Sequence, residues 1–135
     1  HRRSSAASDV YKRQIVRAAY EGLAFLYADT FNSLKKITGI PFDNVYIVGG
    51  GSKNELLNQM TANSTGLPVV SGPIEATAIG NILIQMIALG EIDDIENGRL
   101  LVRRSFRNEI NNYTPVNRNK WIEAKNTWDV YSKSI

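Results

Sequence analysis

The chain has no cysteine and a single histidine, His1, and each scarcity removes a class of chemistry. Without thiols there is no disulfide framework, no cysteine nucleophile and no sulfur-ligated metal centre. With its one imidazole at the first position, the body of the chain has no histidine to serve as a general base. Long apolar runs are missing as well. No stretch approaches the roughly eighteen consecutive apolar residues of a membrane span, and the first residues lack the basic, apolar and small-residue order of a secretory signal. A cytoplasmic protein with no membrane partner is expected. The tripeptides Asn63-Ser64-Thr65 and Asn112-Tyr113-Thr114 then read as chance matches to the glycosylation pattern. No repeat of fixed period is present.

An excess of acidic charge is also absent: the formal net charge is +3 and the isoelectric point about 9.3. The location of the surplus decides what it means. Arg2, Arg3, Lys12 and Arg13 stand against Asp9 within residues 1–13, and acidic and basic residues balance over 14–135. A nucleic-acid partner is therefore not expected, because the surplus lies in a leader and not across a folded surface. That leader is rich in serine and alanine and shows no apolar period, so it reads as a non-native or disordered segment. Its stretch SSAASDVYKRQ resembles translated adapter sequence, which places the start of the native chain near Gln14.

What the chain does have is 43% apolar content over 135 residues, enough for one domain with a core. From Gln14 to Lys36, Ile15, Ala19, Leu23, Leu26, Thr30, Leu34 and Ile37 recur at three-to-four spacing and predict a long amphipathic helix. Gly39 is its left-handed cap and Pro41 its stop. Val45 to Val48 predicts a short strand buried on both faces. A second helix follows over Asn54 to Thr65, closed by Gly66. A second strand, Leu67 to Val70, starts at the end or edge of a sheet because of Pro68. After the turn Ser71-Gly72-Pro73 comes a helix from Glu75 to Leu89, whose Ala76, Ala78 and Gly80 permit close approach.

Asp93 to Glu96 has the form of a capping arrangement opening a short helix toward Val102. Residues 108–119 read as a polar loop. The last helix, Lys120 to Ser132, carries Trp121, Trp128 and Tyr131 at a spacing that suits packing on the body. The sum is an α/β fold with a short, mainly parallel sheet flanked by helices. Two strands make a poor sheet, so further strands are either hidden in the sequence or lie outside it.

Residues 45–54, VYIVGGGSKN, carry the strongest functional signal. In an open α/β sheet ligands bind at the carboxyl ends of the strands, where a strand-glycine-helix junction offers free N–H groups and no side chain in the way. The dipole of the following helix favours a phosphate, and missing β-carbons let a base or ribose lie on the backbone. A tight turn with positive φ accounts for one glycine and poorly for three. Neither the dinucleotide fingerprint nor the Walker loop fits, since Asn54 stands where the former needs Gly or Ala and no second glycine precedes a Lys-Ser/Thr pair. The acidic cluster Glu91, Asp93, Asp94 and Glu96 reads as helix capping and solvated surface, so no metal site is assigned.

The stretch IVGGGSKNELLNQMTANSTGLPVVSGPIEATAIGNILIQMIALGEI, with the preceding helix IVRAAYEGLAFLYADTF, resembles the C-terminal part of the FGGY-type carbohydrate kinases. The likeness runs from Arg17 to about Pro115. It implies part of an actin-like, ribonuclease-H-like ATPase domain: residues 14–115 would form the C-terminal half of the family's C-terminal domain, and 116–135 its last helix. It also implies that the glycine turn lies against the adenosine and α-phosphate of ATP, with Gly50, Gly51 and Asn54 as the cofactor-binding residues and Glu75 to Asn81 beneath the turn. Mg²⁺ would be held mainly by the nucleotide and by sequence outside this chain.

The family's aspartate base and its sugar-binding residues match nothing here, so no catalytic residue is assigned. The whole enzyme would phosphorylate a ketose, and this chain alone would be inactive. A non-catalytic actin-like module that binds a nucleotide or a partner is the alternative.

Overall fold

A computed structural model describes residues 2–132, with side chains described from residue 8 onward. Helix α1 spans Arg2–Thr38. It begins well before Gln14, because alanine, lysine, arginine and glutamine are good helix formers and no glycine or proline intervenes. Between Ser8 and Ala19 every side chain is exposed. At the other end Gly39 takes φ +68° and donates its N–H to the Lys35 carbonyl at 2.9 Å, the expected left-handed cap.

The face of α1 that packs inward is not the stripe predicted from periodicity. Ile15, Leu23, Leu26, Leu34 and Ile37 are exposed, Ile37 at 81%, whereas Ala24, Phe25 and Ala28 are buried. Close approach explains the choice. Helix α2, Glu55–Thr65, crosses α1 so tightly that the Ser64 hydroxyl donates to the Ala24 carbonyl at 2.7 Å. Bulky residues would hold the axes apart, so the small residues take the interface. The C-terminal half of α2 is buried all round and largely polar, with Asn58, Thr61, Asn63 and Ser64 buried beside Met60 and Ala62.

Strand β1, Val45–Ile47, pairs in parallel with β2, Val69–Ser71, in the register Val45 to Val69 and Ile47 to Ser71. The predicted burial of the first strand on both faces does not hold. Val45 is buried while Tyr46 and Val48 are exposed, because α1 and α2 cover one face and no helix closes fully over the other. Val45, Ala62 and Val69 form the core cluster, with Phe31, Ile47, Leu67 and Tyr113 packed against it.

The sheet is mixed rather than mainly parallel. A third strand, β3 at Asn111–Tyr113, runs antiparallel to β2 from within the segment predicted as loop, giving the order β1-β2-β3. Its polar sequence suits an edge, where pairing is through the backbone and half the side chains meet water.

Helix α3, Ala76–Ala88, packs against α4, Ile95–Ser105. The cap of α4 is Asp94, one residue later than predicted, and its carboxylate accepts the Asn97 N–H at 2.8 Å. Helix α5, Arg118–Ser132, returns to α1 and sets Trp121 and Trp128 on Phe25, with ring centroids 5.4 and 5.8 Å apart. Tyr131 is 70% exposed and takes no part in that packing. No described helix is long and apolar enough to cross a membrane.

Two polar ties hold the C-terminal arm. Arg118 donates to the carbonyls of Asn63 and Ser64 at the end of α2, while Asn63 Oδ1 accepts the Val116 N–H at 2.8 Å. Lys125, partly buried, bridges Asp29 of α1 at 2.9 Å and Asp129 of its own helix. Burial opposes its charge, but hydrogen bonds and attraction from Asp129 and Asp29 win, so its pKa lies above the ordinary 10.5. A lysine with a raised folded pKa contributes stability that is complete below its unfolded pKa and lost as pH rises through the folded one. Lys125→Met is therefore expected to lower the urea unfolding midpoint at pH 7, with the deficit narrowing above pH 10.5. A deficit unchanged at high pH would mean that the lysine stem alone does the packing.

Candidate functional site

Because β1 and β2 are parallel, their carboxyl ends share one edge of the sheet. The Gly72 N–H donates to the Ile47 carbonyl at 2.8 Å and ties the two exits together. Past Val48, residues Gly49–Lys53 coil into a short 3₁₀ turn that feeds α2.

The three glycines differ in what they require. Gly49 has φ +74° and needs to be glycine for that reason. Gly50 and Gly51 lie outside the left-handed region. A β-carbon on Gly50 would meet nothing within 4 Å, and one on Gly51 would lie 3.7 Å from Ile47 Cγ2 in ordinary contact. The fold thus accounts for one glycine of the three and leaves a bare, exposed stretch of backbone at Gly50.

Asn54 joins the turn to α2. Its Oδ1 accepts the Leu57 N–H at 3.1 Å, and its own N–H donates to the Gly51 carbonyl at 3.1 Å. The side-chain oxygen is thus committed to capping the helix. Gly50 and Gly51 lie within this turn, and Asn54 follows it as the cap of α2.

Two residues that the sequence did not single out hold this turn from behind. The Ser52 hydroxyl donates to the Gly49 carbonyl at 2.6 Å, and Asn58 Nδ2, from inside α2, donates to the Ser52 carbonyl at 2.9 Å. An asparagine in a helix interior, where its propensity is poor, was the available signal. No hydrogen bond links residues 75–81 to the turn among the described residues. Ala76, Ile79 and Gly80 instead line a cavity of about 820 Å³ between the uncovered sheet face, at Tyr46 and Val70, and helices α3 and α4.

Among the described residues no three acidic or imidazole groups cluster as a metal site. Asp94 is spent on its cap and Glu96 pairs with Arg99. His1 lies outside the described residues.

A bare-backbone turn at the carboxyl edge of a parallel strand pair, backed by a helix N-terminus, stands where open α/β sheets present their loops to ligands. Residues 3–89 match the C-terminal domain of the FGGY family of carbohydrate kinases, and the chain belongs to that family. It is 44% identical over 111 residues to a rhamnulokinase of Bacteroides thetaiotaomicron, covering 82% of this chain and 22% of that protein. It is 43% identical over 105 residues to a rhamnulokinase of Bacillus subtilis, covering 78% of this chain and 22% of the relative. With a rhamnulokinase of Lactiplantibacillus plantarum the figures are 42% over 102 residues, 76% and 20%. The chain spans 20–22% of the length of these curated relatives.

The second exit of the sheet is as tightly specified as the first. Gly72 has φ +94°, and a β-carbon there would lie 2.3 Å from the Glu109 carbonyl oxygen. Gly72→Ala is expected to cost about 3 kcal/mol or more, since backbone must move. Gly90→Ala, where φ is +76° but nothing lies within 4 Å, is expected to cost about 1 kcal/mol. Urea unfolding of the two variants checks this; equal losses would mean that the Glu109 contact relaxes freely.

Proposed function

We propose that this chain supplies the adenosine side of the ATP site in an ATP-dependent sugar kinase of the rhamnulokinase type, within an actin-like domain. The whole protein would transfer the γ-phosphate of ATP to a hydroxyl of L-rhamnulose, giving L-rhamnulose 1-phosphate. The observation that carries the reading is Gly50: its φ does not call for glycine and its missing β-carbon opens on free space. The likeness to rhamnulokinases supports the sugar.

The nucleotide fits the residues present. Adenosine would lie over the bare backbone of Gly50 and Gly51, with Asn54 Nδ2 facing the ribose or the base edge. The dipole of α2, whose N-terminus this turn forms, favours the α-phosphate. Phosphoryl transfer depends on positioning and charge neutralisation. This chain's share is positioning: it fixes one end of the donor so that the γ-phosphate meets the sugar hydroxyl in line. Mg²⁺, when bound, supplies charge neutralisation at the phosphates. The acidic groups described here are engaged elsewhere or dispersed, so its holders and the base that takes the hydroxyl proton are assigned to the rest of the whole protein.

In the whole protein Gly50→Val is expected to raise the KM for ATP by about tenfold or more while leaving the KM for sugar within about twofold. Its unfolding midpoint should move little, because a β-carbon at this position meets no atom of this chain within 4 Å. Equal rises in both KM values would sink the assignment. The 135-residue chain alone is expected to phosphorylate no sugar in a coupled assay; turnover by a pure sample would show that the base lies within it.

A further inference from the structure

Asn58 is 1% exposed, and its environment suits stability poorly. Its Nδ2 donates to the Ser52 carbonyl at 2.9 Å, but its Oδ1 is buried with no hydrogen-bond partner. A buried acceptor left unpaired loses its water without compensation, and a leucine of similar volume would avoid that loss. Every other buried side-chain polar atom among the described residues has a partner except Ser71 Oγ. The amide therefore stands where the fold has little use for it.

What the amide does secure is the turn. A glycine-rich segment has the largest backbone freedom of any sequence, and 3₁₀ hydrogen bonds are weaker than α-helical ones. Residues Gly49–Lys53 combine both weaknesses. The Asn58 donor grips the turn at Ser52, and the Ser52 hydroxyl passes the constraint to the Gly49 carbonyl at 2.6 Å. The two bonds run from the interior of α2 to the first glycine after the strand exit. They bracket Gly50 and Gly51 without occupying the space in front of them.

We propose that Asn58 is a positioning residue for the nucleotide: it holds the bare backbone of Gly50 and Gly51 in the receiving pose before ATP arrives. The inference rests on the ATP-site reading above. A turn ordered in advance spares the nucleotide the cost of ordering it, so the contribution falls on ATP affinity and not on sugar affinity. Asn58 itself touches no substrate. Its effect passes through Ser52.

The test uses Asn58→Leu and Asn58→Val in the whole protein, both of which remove the donor and leave only apolar atoms in its place. Each is expected to raise the KM for ATP about tenfold, the worth of one buried turn-fixing hydrogen bond. The KM for sugar and kcat at saturating ATP should stay within about twofold. The unfolding midpoint of Asn58→Leu should hold or rise, and Ser71→Ala, which deletes the other unpaired atom, should leave the KM for ATP unchanged. If Gly50→Val raises the KM for ATP and both Asn58 variants leave it alone, this inference fails by itself. If Gly50→Val also has no effect, the ATP-site reading fails with it. An Asn58→Leu protein that does not fold would equally overturn the proposal, since the amide would then be structural.

Discussion

The crossing of α1 and α2 is the constraint on which the rest of the structure depends. The Ser64 hydroxyl donates to the Ala24 carbonyl at 2.7 Å, a side-chain-to-backbone contact that requires the two helices to approach closely. With α2 held so close, it packs on β2 and β3, and Val45, Ala62 and Val69 meet as one cluster. Wider separation would expose that cluster and lift the glycine turn, which is the N-terminal continuation of the same helix. The C-terminal arm reinforces the arrangement from the far end, where Arg118 takes the last carbonyls of α2 and the two tryptophans close over Phe25.

A helix pinned at both ends makes a rigid base for a turn that is intrinsically loose. The inner face of α2 uses polar groups for this, and most of them are satisfied within one or two turns. Thr61 and Thr65 return their hydroxyls to Leu57 and Thr61 carbonyls at 2.7 Å. Asn58 is the departure. Local departures from good packing chemistry concentrate where a site needs a particular backbone pose, and this one sits directly behind the glycines that face outward.

Much of the local structure was legible because it rests on single residues. Gly39 and Gly66 end their helices in the left-handed region, and Pro68 stands immediately before a strand. The junction of strand, glycines and helix was legible too, since short apolar runs and glycine clusters are local signals. The inward face of α1 was not. Periodicity selects the largest apolar stripe, whereas the α2 crossing selected Ala24 and Ala28, where close approach outweighs side-chain area, and Phe25 is buried by the two tryptophans of α5. Strand β3 was hidden for a related reason: Asn111 and Asn112 carry no strand pattern, and only the free edge of β2 makes them pair.

The glycine turn was placed by sequence, yet sequence could not separate its three glycines. Positive φ at Gly49 and open space at Gly50 are properties of the folded backbone. The sequence by itself determined the family, the α/β class, the helix ends and the position of the turn, because each depends on residue type and chain order. Tertiary structure decided which face of α1 is buried, which edge β3 completes and which amide holds the turn. Those outcomes depend on distances between segments far apart in the chain, and no single segment encodes them.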